Sequence, residues 1–208
     1  MSFYQKFGKR SIDFIFSLAA FVFLWPFFLL VSFLIKINSP GPVIFKQKRM
    51  GKNGKIFTLY KFQTMVKDAE NLKEKYHHLN EADGPVFKID NDPRFTKIGK
   101  VLSHTGFDEF PQFFNILRGE MSLVGPRPLP VEEEAKISSK YQLKRRQVKP
   151  GIISSWLVRG AHNLSFRQWM LLDLKDVQKM GFLYDLKIVF GSFVLVLKLT
   201  QGELSKKI

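Results

Sequence analysis

The stretch Phe14–Ile35 reads FIFSLAAFVFLWPFFLLVSFLI and carries no charged residue. It exceeds the roughly 18 apolar residues that mark a membrane helix, so its reading decides the architecture. The run is too long for the core of a cleaved signal, and no small-residue cleavage pattern follows it. Membrane attachment is therefore expected. Pro26 stands near the middle, where it removes a backbone hydrogen bond and clashes with the preceding turn, so a kink is predicted there. Lys6, Lys9 and Arg10 precede the run; Lys36, Lys46, Lys48, Arg49, Lys52 and Lys55 follow it. Because positive charge marks the cytoplasmic flank, a helix-break-helix hairpin would keep both flanks on one face. A proline-kinked span is the alternative the residues leave open.

Downstream of the apolar run, Asn38–Pro42 reads as a turn. Val43–Gln47 and Lys55–Phe62 read as strands of a β-hairpin around Gly51-Lys52-Asn53-Gly54. The pattern predicts helices over Val66–Leu79, Thr96–Leu102, Asp108–Arg118, Val131–Gln147 and Ser165–Lys179. Phe182–Leu199 is strongly apolar but short for a span, and reads as an interfacial or core helix. His77 and His78 are adjacent and so point apart on a helix, which makes them surface residues and no metal pair. The fold class is α+β, mainly helical. A re-entrant membrane-anchoring segment (residues 1–38) precedes a compact cytosolic domain (39–208) with a small antiparallel β-hairpin, and interfacial amphipathic helices lie around that domain.

The chain of 208 residues is long enough for one domain with a real core. Lys+Arg outnumber Asp+Glu by 33 to 18, a net charge of +15, which favours an anionic partner: nucleic acid, acidic lipid or a phosphorylated substrate. No nucleic-acid recognition motif is present, and the cations are interleaved with membrane-like segments, so nucleic acid is not the expected partner. The absence of cysteine excludes disulfides and thiolate sites.

Chemistry concentrates in Phe107–Pro128, FDEFPQFFNILRGEMSLVGPRP. Asp108 and Glu109 are adjacent acids at the start of a predicted helix, and Pro126-Arg127-Pro128 holds an arginine in a stiff segment. A carboxylate can attack phosphorus to give an acyl phosphate, splitting one hard displacement into two. Since both partners are anionic, cations must neutralise the phosphates, either Mg²⁺ or lysine and arginine. Two acids can divide that labour, Asp108 as nucleophile and Glu109 as metal ligand, with the helix dipole keeping Asp108 ionised. The same dipeptide is also what ordinary helix capping looks like.

An ordered series of motifs carries a resemblance. It runs Lys9-Arg10-x-x-Asp13, Ser39-Pro40-Gly41-Pro42, Gln47-x-Arg49-x-Gly51, Tyr60-Lys61-Phe62-x-Thr64-Met65 and Asp92-Pro93-Arg94. Asp108-Glu109-x-Pro111-Gln112-x-x-Asn115 follows, then Gly119-x-Met121-Ser122-x-Val124-Gly125-Pro126-Arg127-Pro128 and Lys149-Pro150-Gly151. Together these resemble the bacterial sugar transferases, the small monotopic polyprenyl-phosphate phosphoglycosyl transferases. The resemblance covers nearly the whole chain.

What the resemblance implies is concrete. A sugar-1-phosphate would pass from a UDP-sugar to undecaprenyl phosphate on the cytoplasmic face of the bacterial inner membrane, releasing UMP and initiating a surface glycan. The anchor would be a re-entrant hairpin broken near Pro26, resting against anionic lipids. Asp108 would form a phosphosugar-aspartate, Glu109 and Asp108 would be associated with Mg²⁺, and Lys61, Arg94, Pro126 and Arg127 would meet phosphate or nucleotide. The departures are equally concrete. Ser103, beside His104, stands where a basic residue is expected, so that either a phosphate-binding arginine is missing or His104 or Arg94 substitutes for it. Trp25-Pro26 replaces Ser-Pro, and Gly160-Ala161 replaces a Gly-Arg pair, with Arg159 nearby. The alternative is a non-catalytic basic adaptor on the membrane. The sugar and the glycan are not legible, and a homo-oligomer stays open.

Overall fold

The computed structural model describes residues 4–160 and 164–205; Ala161 lies outside them. After a short π-helical turn over Tyr4–Gly8, the apolar run forms α1 (Lys9–Phe23) and α2 (Trp25–Asn38), which meet at Leu24 with a bend of 61°. Pro26 falls in the first turn of α2, where its missing N–H has no helical partner to lose. The break thus comes two residues before the proline. Among the described residues, no single helix is long and apolar enough to cross a membrane, whereas the bent pair together is.

The pair has two unlike sides. Val31 and Ile35 are buried against Phe62 and Leu102. Ala20, Phe21 and Leu24 pack on a core that includes Leu59, Ile116, Met121 and Val124. The opposite side is bare, with Phe23 82% exposed and Ile15, Val22, Leu30, Phe33 and Ile37 each more than half exposed. Exposed apolar side chains grouped in this way mark a surface that meets a partner or a membrane.

The start of α1 is tied down by charge. Lys9 Nζ pairs with Asp185 Oδ2 at 2.5 Å, and Asp13 accepts from Ser122 Oγ (2.7 Å) and the Leu123 N–H (3.0 Å). Arg10 donates to the carbonyls of Ile116 and Leu117 at the end of a helix, the first of which also accepts from the Gly119 N–H. The Lys9-Arg10-x-x-Asp13 motif therefore fastens the bent helix pair to three separate elements of the domain.

Next come antiparallel strands β1 (Ile44–Met50) and β2 (Ile56–Phe62), in a register pairing Ile44 with Phe62 and Met50 with Ile56. The turn needs positive φ at Asn53 and Gly54, which asparagine and glycine supply. The predicted helix over Val66–Leu79 is instead a series of turns ending in a 3₁₀ turn at His77–Leu79. Backbone bonds from Val66 N–H to Arg94 O, together with the Arg94 side chain on Ala69 O, hold it against the Asp92–Phe95 loop. Lacking an apolar stripe, the segment cannot outbid those contacts.

Helix α3 (Lys97–Thr105) starts at Thr96, whose side chain caps the Gly99 N–H. It ends at Gly106 in the left-handed region. The acid pair does not open a continuous helix: Phe107–Glu109 is a 3₁₀ turn, and α4 (Gln112–Leu117) begins only after Pro111. Strand β3 (Ser122–Val124) follows, then α5 (Val131–Ala135) and α6 (Ser139–Arg145), where one helix was predicted. Ile137 is buried with Trp156 and Trp169 at the junction, and the Gln142 amide donates to the carbonyls of Glu134 and Ile137, which stabilises the break.

Strand β4 (Gly151–Ile153) pairs parallel with β3. The chain then continues through α7 (Ser155–Val158), α8 (Phe166–Lys179) and α9 (Phe182–Ser205). A Cβ on Gly151 would sit 2.2 Å from the Gly125 nitrogen, so only glycine lets the two strands approach here. This close approach places Pro126-Arg127-Pro128. Helix α9 likewise exposes the apolar side chains of Leu183, Phe190 and Phe193. The observed class is mixed, mainly helical, with a small antiparallel hairpin.

Candidate active site

Asp108 is 5% exposed, because its turn is wedged between the hairpin break and β2. Phe27 of α2 lies against Phe107 (5.5 Å between ring centroids) and Phe110 (5.6 Å), the residues flanking the acid pair. The position of the acids is thereby tied to α2, one residue past Pro26.

Strand β2 brings Lys61 to the pair. Its Nζ lies 2.8 Å from Glu109 Oε1 and 3.4 Å from Asp108 Oδ2. The strand is held by Asn115, fully buried on α4. Asn115 donates to Thr58 O (2.7 Å) and accepts from the Tyr60 N–H (3.2 Å), bridging the backbone around Lys61. The Asp-Glu-x-Pro-Gln-x-x-Asn pattern thus contains both the acids and the residue that docks their cation.

Arg127 arrives from the opposite side, with Nη2 2.8 Å from the same Glu109 Oε1. Its guanidinium lies 5.7 Å from the Trp156 ring centre, and Trp156 stacks on Trp169 at 4.3 Å. A delocalised cation over an aromatic face is favourable and directional. From behind, Arg145 donates to the Arg127 carbonyl at 2.6 Å while its other nitrogens pair with Glu134 and Asp173. The position of Arg127 is thus determined at both its main chain and its side chain.

The electrostatics separate the two acids. Burial works against the charge of Glu109, but Arg127 and Lys61 outweigh it and hold the carboxyl well below its usual range. For Asp108, burial dominates and Glu109 adds to it, so that its pKa is raised even though Lys61 and Arg127 oppose. Burial, rather than the helix dipole expected from sequence, sets the direction. One carboxylate is firmly ionised and paired; the other is more basic and correspondingly more nucleophilic once ionised.

The other sequence candidates lie elsewhere. Arg94 is 6% exposed and forms a two-point pair with Asp92 (2.9 and 2.6 Å), with a third bond to Ala69 O. His104 is on α3, edge-to-face with Phe95 at 6.2 Å. Pro126 accepts from the Gly151 N–H at 3.0 Å and so anchors the arginine segment. Arg145 and Trp156 escaped the sequence reading. Arg145 is one cation in a basic run, and no local signal separates it from Lys144 or Arg146.

Among the described residues, no group of three or more histidine or acidic side chains is placed to hold a metal. Two adjacent carboxylates fit Mg²⁺ of the kind completed by substrate phosphate, because this hard ion binds through one or two carboxylates plus phosphate oxygens. They do not fit an all-protein cage.

The model of the bacterial sugar transferase family matches residues 4–199. The chain is 43% identical over 158 residues to the galactosyl transferase CpsE of Streptococcus agalactiae, covering 76% of this chain and 35% of that protein. It is 36% identical over 187 residues to the exopolysaccharide production protein ExoY of Rhizobium meliloti, covering 88% and 82% respectively. It is also 36% identical over 190 residues to the UDP-glucose:undecaprenyl-phosphate glucose-1-phosphate transferase of Escherichia coli, covering 88% and 38%. The chain therefore spans little more than a third of two of these relatives and most of the third. The motifs quoted from the sequence, the family match and the site they build agree: this chain belongs to the bacterial sugar transferase family.

Proposed function

We propose that the chain transfers a sugar-1-phosphate from a UDP-sugar to undecaprenyl phosphate, releasing UMP and starting a surface glycan. The observation that carries this reading is a buried Asp108–Glu109 pair, bound by two cations and packed against the break of an apolar hairpin. The names of the relatives support it, since one transfers glucose-1-phosphate to undecaprenyl phosphate and another serves exopolysaccharide production.

In the proposed reaction, an Asp108 oxygen attacks the sugar-bearing phosphorus of the UDP-sugar. The bond from that phosphorus to the bridging oxygen breaks, and UMP leaves with the electron pair. An oxygen of the lipid phosphate then attacks the same phosphorus and displaces the Asp108 carboxylate, giving the lipid diphosphate-sugar and the free enzyme. Lys61 and Arg127 neutralise the charge that would otherwise repel an anionic nucleophile. Mg²⁺, when held by Asp108 and Glu109 with the substrate phosphates, supplies further charge neutralisation for the departing UMP. Pro126 keeps the arginine segment in place by its bond to Gly151. Arg94 acts through the Asp92 loop, and His104 lines the α3 side, neither by direct contact with the acids.

The anchor (residues 1–38) would enter and leave the cytoplasmic face of the inner membrane, its bare side and that of α9 in lipid. Asp108 would then lie at headgroup depth, where the phosphate of the carrier sits and a soluble nucleotide sugar can still arrive. Tags at the N-terminus and after Pro42 are accordingly expected to be shielded in intact cells; labelling of either from outside would mean a span.

The activity is tested by screening UDP-sugars for Mg²⁺-dependent UMP release in the presence of undecaprenyl phosphate. Release from at least one is expected, and release from none, as for a membrane adaptor, contradicts the proposal. Lys61→Met adds a pH test. Lys61 is the largest charge opposing the upward shift of Asp108, and a carboxyl that must be ionised to attack supports activity only above its pKa. The acid limb of the kcat/KM profile should therefore move to higher pH, with a loss of about 10²–10³-fold at neutral pH. An unmoved limb would separate Lys61 from the nucleophile.

A further inference from the structure

We propose that Arg49 is a third cationic ligand of the site and binds a substrate phosphate group in the cleft it shares with Lys61 and Arg127. The proposal rests on the phosphate chemistry inferred above and gives a specific role to a residue that the sequence offered only as a flanking cation and a member of the Gln47-x-Arg49-x-Gly51 motif.

A cleft is lined by Arg49, Leu59, Lys61, Gln112, Arg127 and Pro128. Arg49 reaches it from β1, whose end is pinned to the arginine segment. Arg49 bridges to Pro130, the Met50 N–H donates to Leu129 O (3.1 Å), and Arg49 Nη1 donates to Pro128 O (2.9 Å). The guanidinium is thus held in place before any ligand arrives. Its Nε is buried and has no hydrogen-bond partner.

The other buried arginines show what is missing. Arg94 is matched by Asp92, and Arg145 by Glu134 and Asp173. Arg49 forms no ion pair with a carboxylate among the described residues. Burial, and after it the charge of Arg127, push its pKa down to about 10, as expected when like charges share a desolvated cleft. An unpaired buried donor is costly. A phosphate oxygen in the cleft would satisfy it, and the planar fork of arginine suits that geometry. The cleft is lined by three cations, Arg49, Lys61 and Arg127, and no carboxylate, while Glu133, Glu109 and Glu70 act on Arg49 by charge without forming an ion pair. It is suited to an incoming anion.

The phosphate belongs to the UDP-sugar or to the carrier lipid, and kinetics separate the two. Arg49→Gln keeps a donor for Pro128 O but loses the charge. Its KM for one substrate should rise about 10- to 100-fold with the melting temperature unchanged. A rise confined to the UDP-sugar assigns the donor diphosphate; a rise confined to undecaprenyl phosphate assigns the carrier. Arg49→Lys, which keeps charge without the fork, should fall between Arg49→Gln and the parent. If both KM values of Arg49→Gln stay within about twofold of the parent, or kcat alone falls, the proposal is overturned. Should Arg49→Gln fail to fold, Arg49→Lys decides by the same two KM criteria. Should the parent itself release no UMP from any UDP-sugar, the proposed function fails separately. Arg49 is then judged by whether inorganic pyrophosphate raises the melting temperature of the parent but not of Arg49→Gln.

Discussion

Replacing Asp108 with asparagine is expected to lower UMP release by about four orders of magnitude or more, the scale on which removing a nucleophile acts. The amide has nearly the same shape but cannot form the phosphosugar bond. Stability should not fall with activity. The pKa of Asp108 is raised in the folded chain, so folding favours its protonated form. The destabilisation from its charge grows as pH rises from the unfolded value through the folded one and is fully present above that. Asparagine removes it, while Lys61 keeps its shorter contact with Glu109. At neutral pH the melting temperature of Asp108→Asn should therefore equal or exceed that of the parent. Retention of more than a tenth of the parent rate would remove Asp108 from the nucleophile's role. A large drop in melting temperature would show that the loss was one of folding.

The second large effect is expected at Arg127. Its guanidinium bonds Glu109 at one edge and lies over Trp156 with its face, and Arg145 holds its carbonyl. Lysine keeps the charge but has neither the planar fork nor the flat face. Arg127→Lys should therefore lose about 10²–10³-fold in kcat/KM, comparable to losing a preorganised donor to developing charge. Steady-state kinetics with the productive UDP-sugar checks this. A variant within tenfold of the parent would mean that charge alone suffices and that the Trp156 platform does not orient the group for catalysis.

Much of the site was legible because its parts are local in sequence. Asp108 and Glu109 are neighbours, Arg127 is flanked by prolines, and Lys61 lies in a strand-like run that the Gly51-Lys52-Asn53-Gly54 turn marks as part of a hairpin. The bend near Pro26 was legible for the same reason. What escaped depends on which partner each side chain meets in the fold. Arg94 is one member of a motif, and its sequence does not say whether its charge faces a substrate or Asp92. Arg145 is hidden among surface-like cations, yet it is 5% exposed and supports Arg127 from behind. The helix predicted over Val66–Leu79 failed through tertiary bonds to the Arg94 loop. The single helix predicted over Val131–Gln147 broke where Ile137 found a place beside two tryptophans.

The sequence by itself determined that this chain is mainly helical, bears an uncharged apolar run bent near Pro26, and concentrates its chemistry between Phe107 and Pro128. These are matters of periodicity, proline stereochemistry and residue type. Only the tertiary structure decided which cations meet the acids. Lys61 arrives because Asn115 docks β2, Arg127 because Gly125 and Gly151 let two strands touch, and Arg49 because β1 pairs with the segment after the clamp. It also decided that Asp108 titrates upward while Glu109 titrates downward. Burial and the placement of charges across the fold set those directions, and neither is written in the order of two adjacent letters.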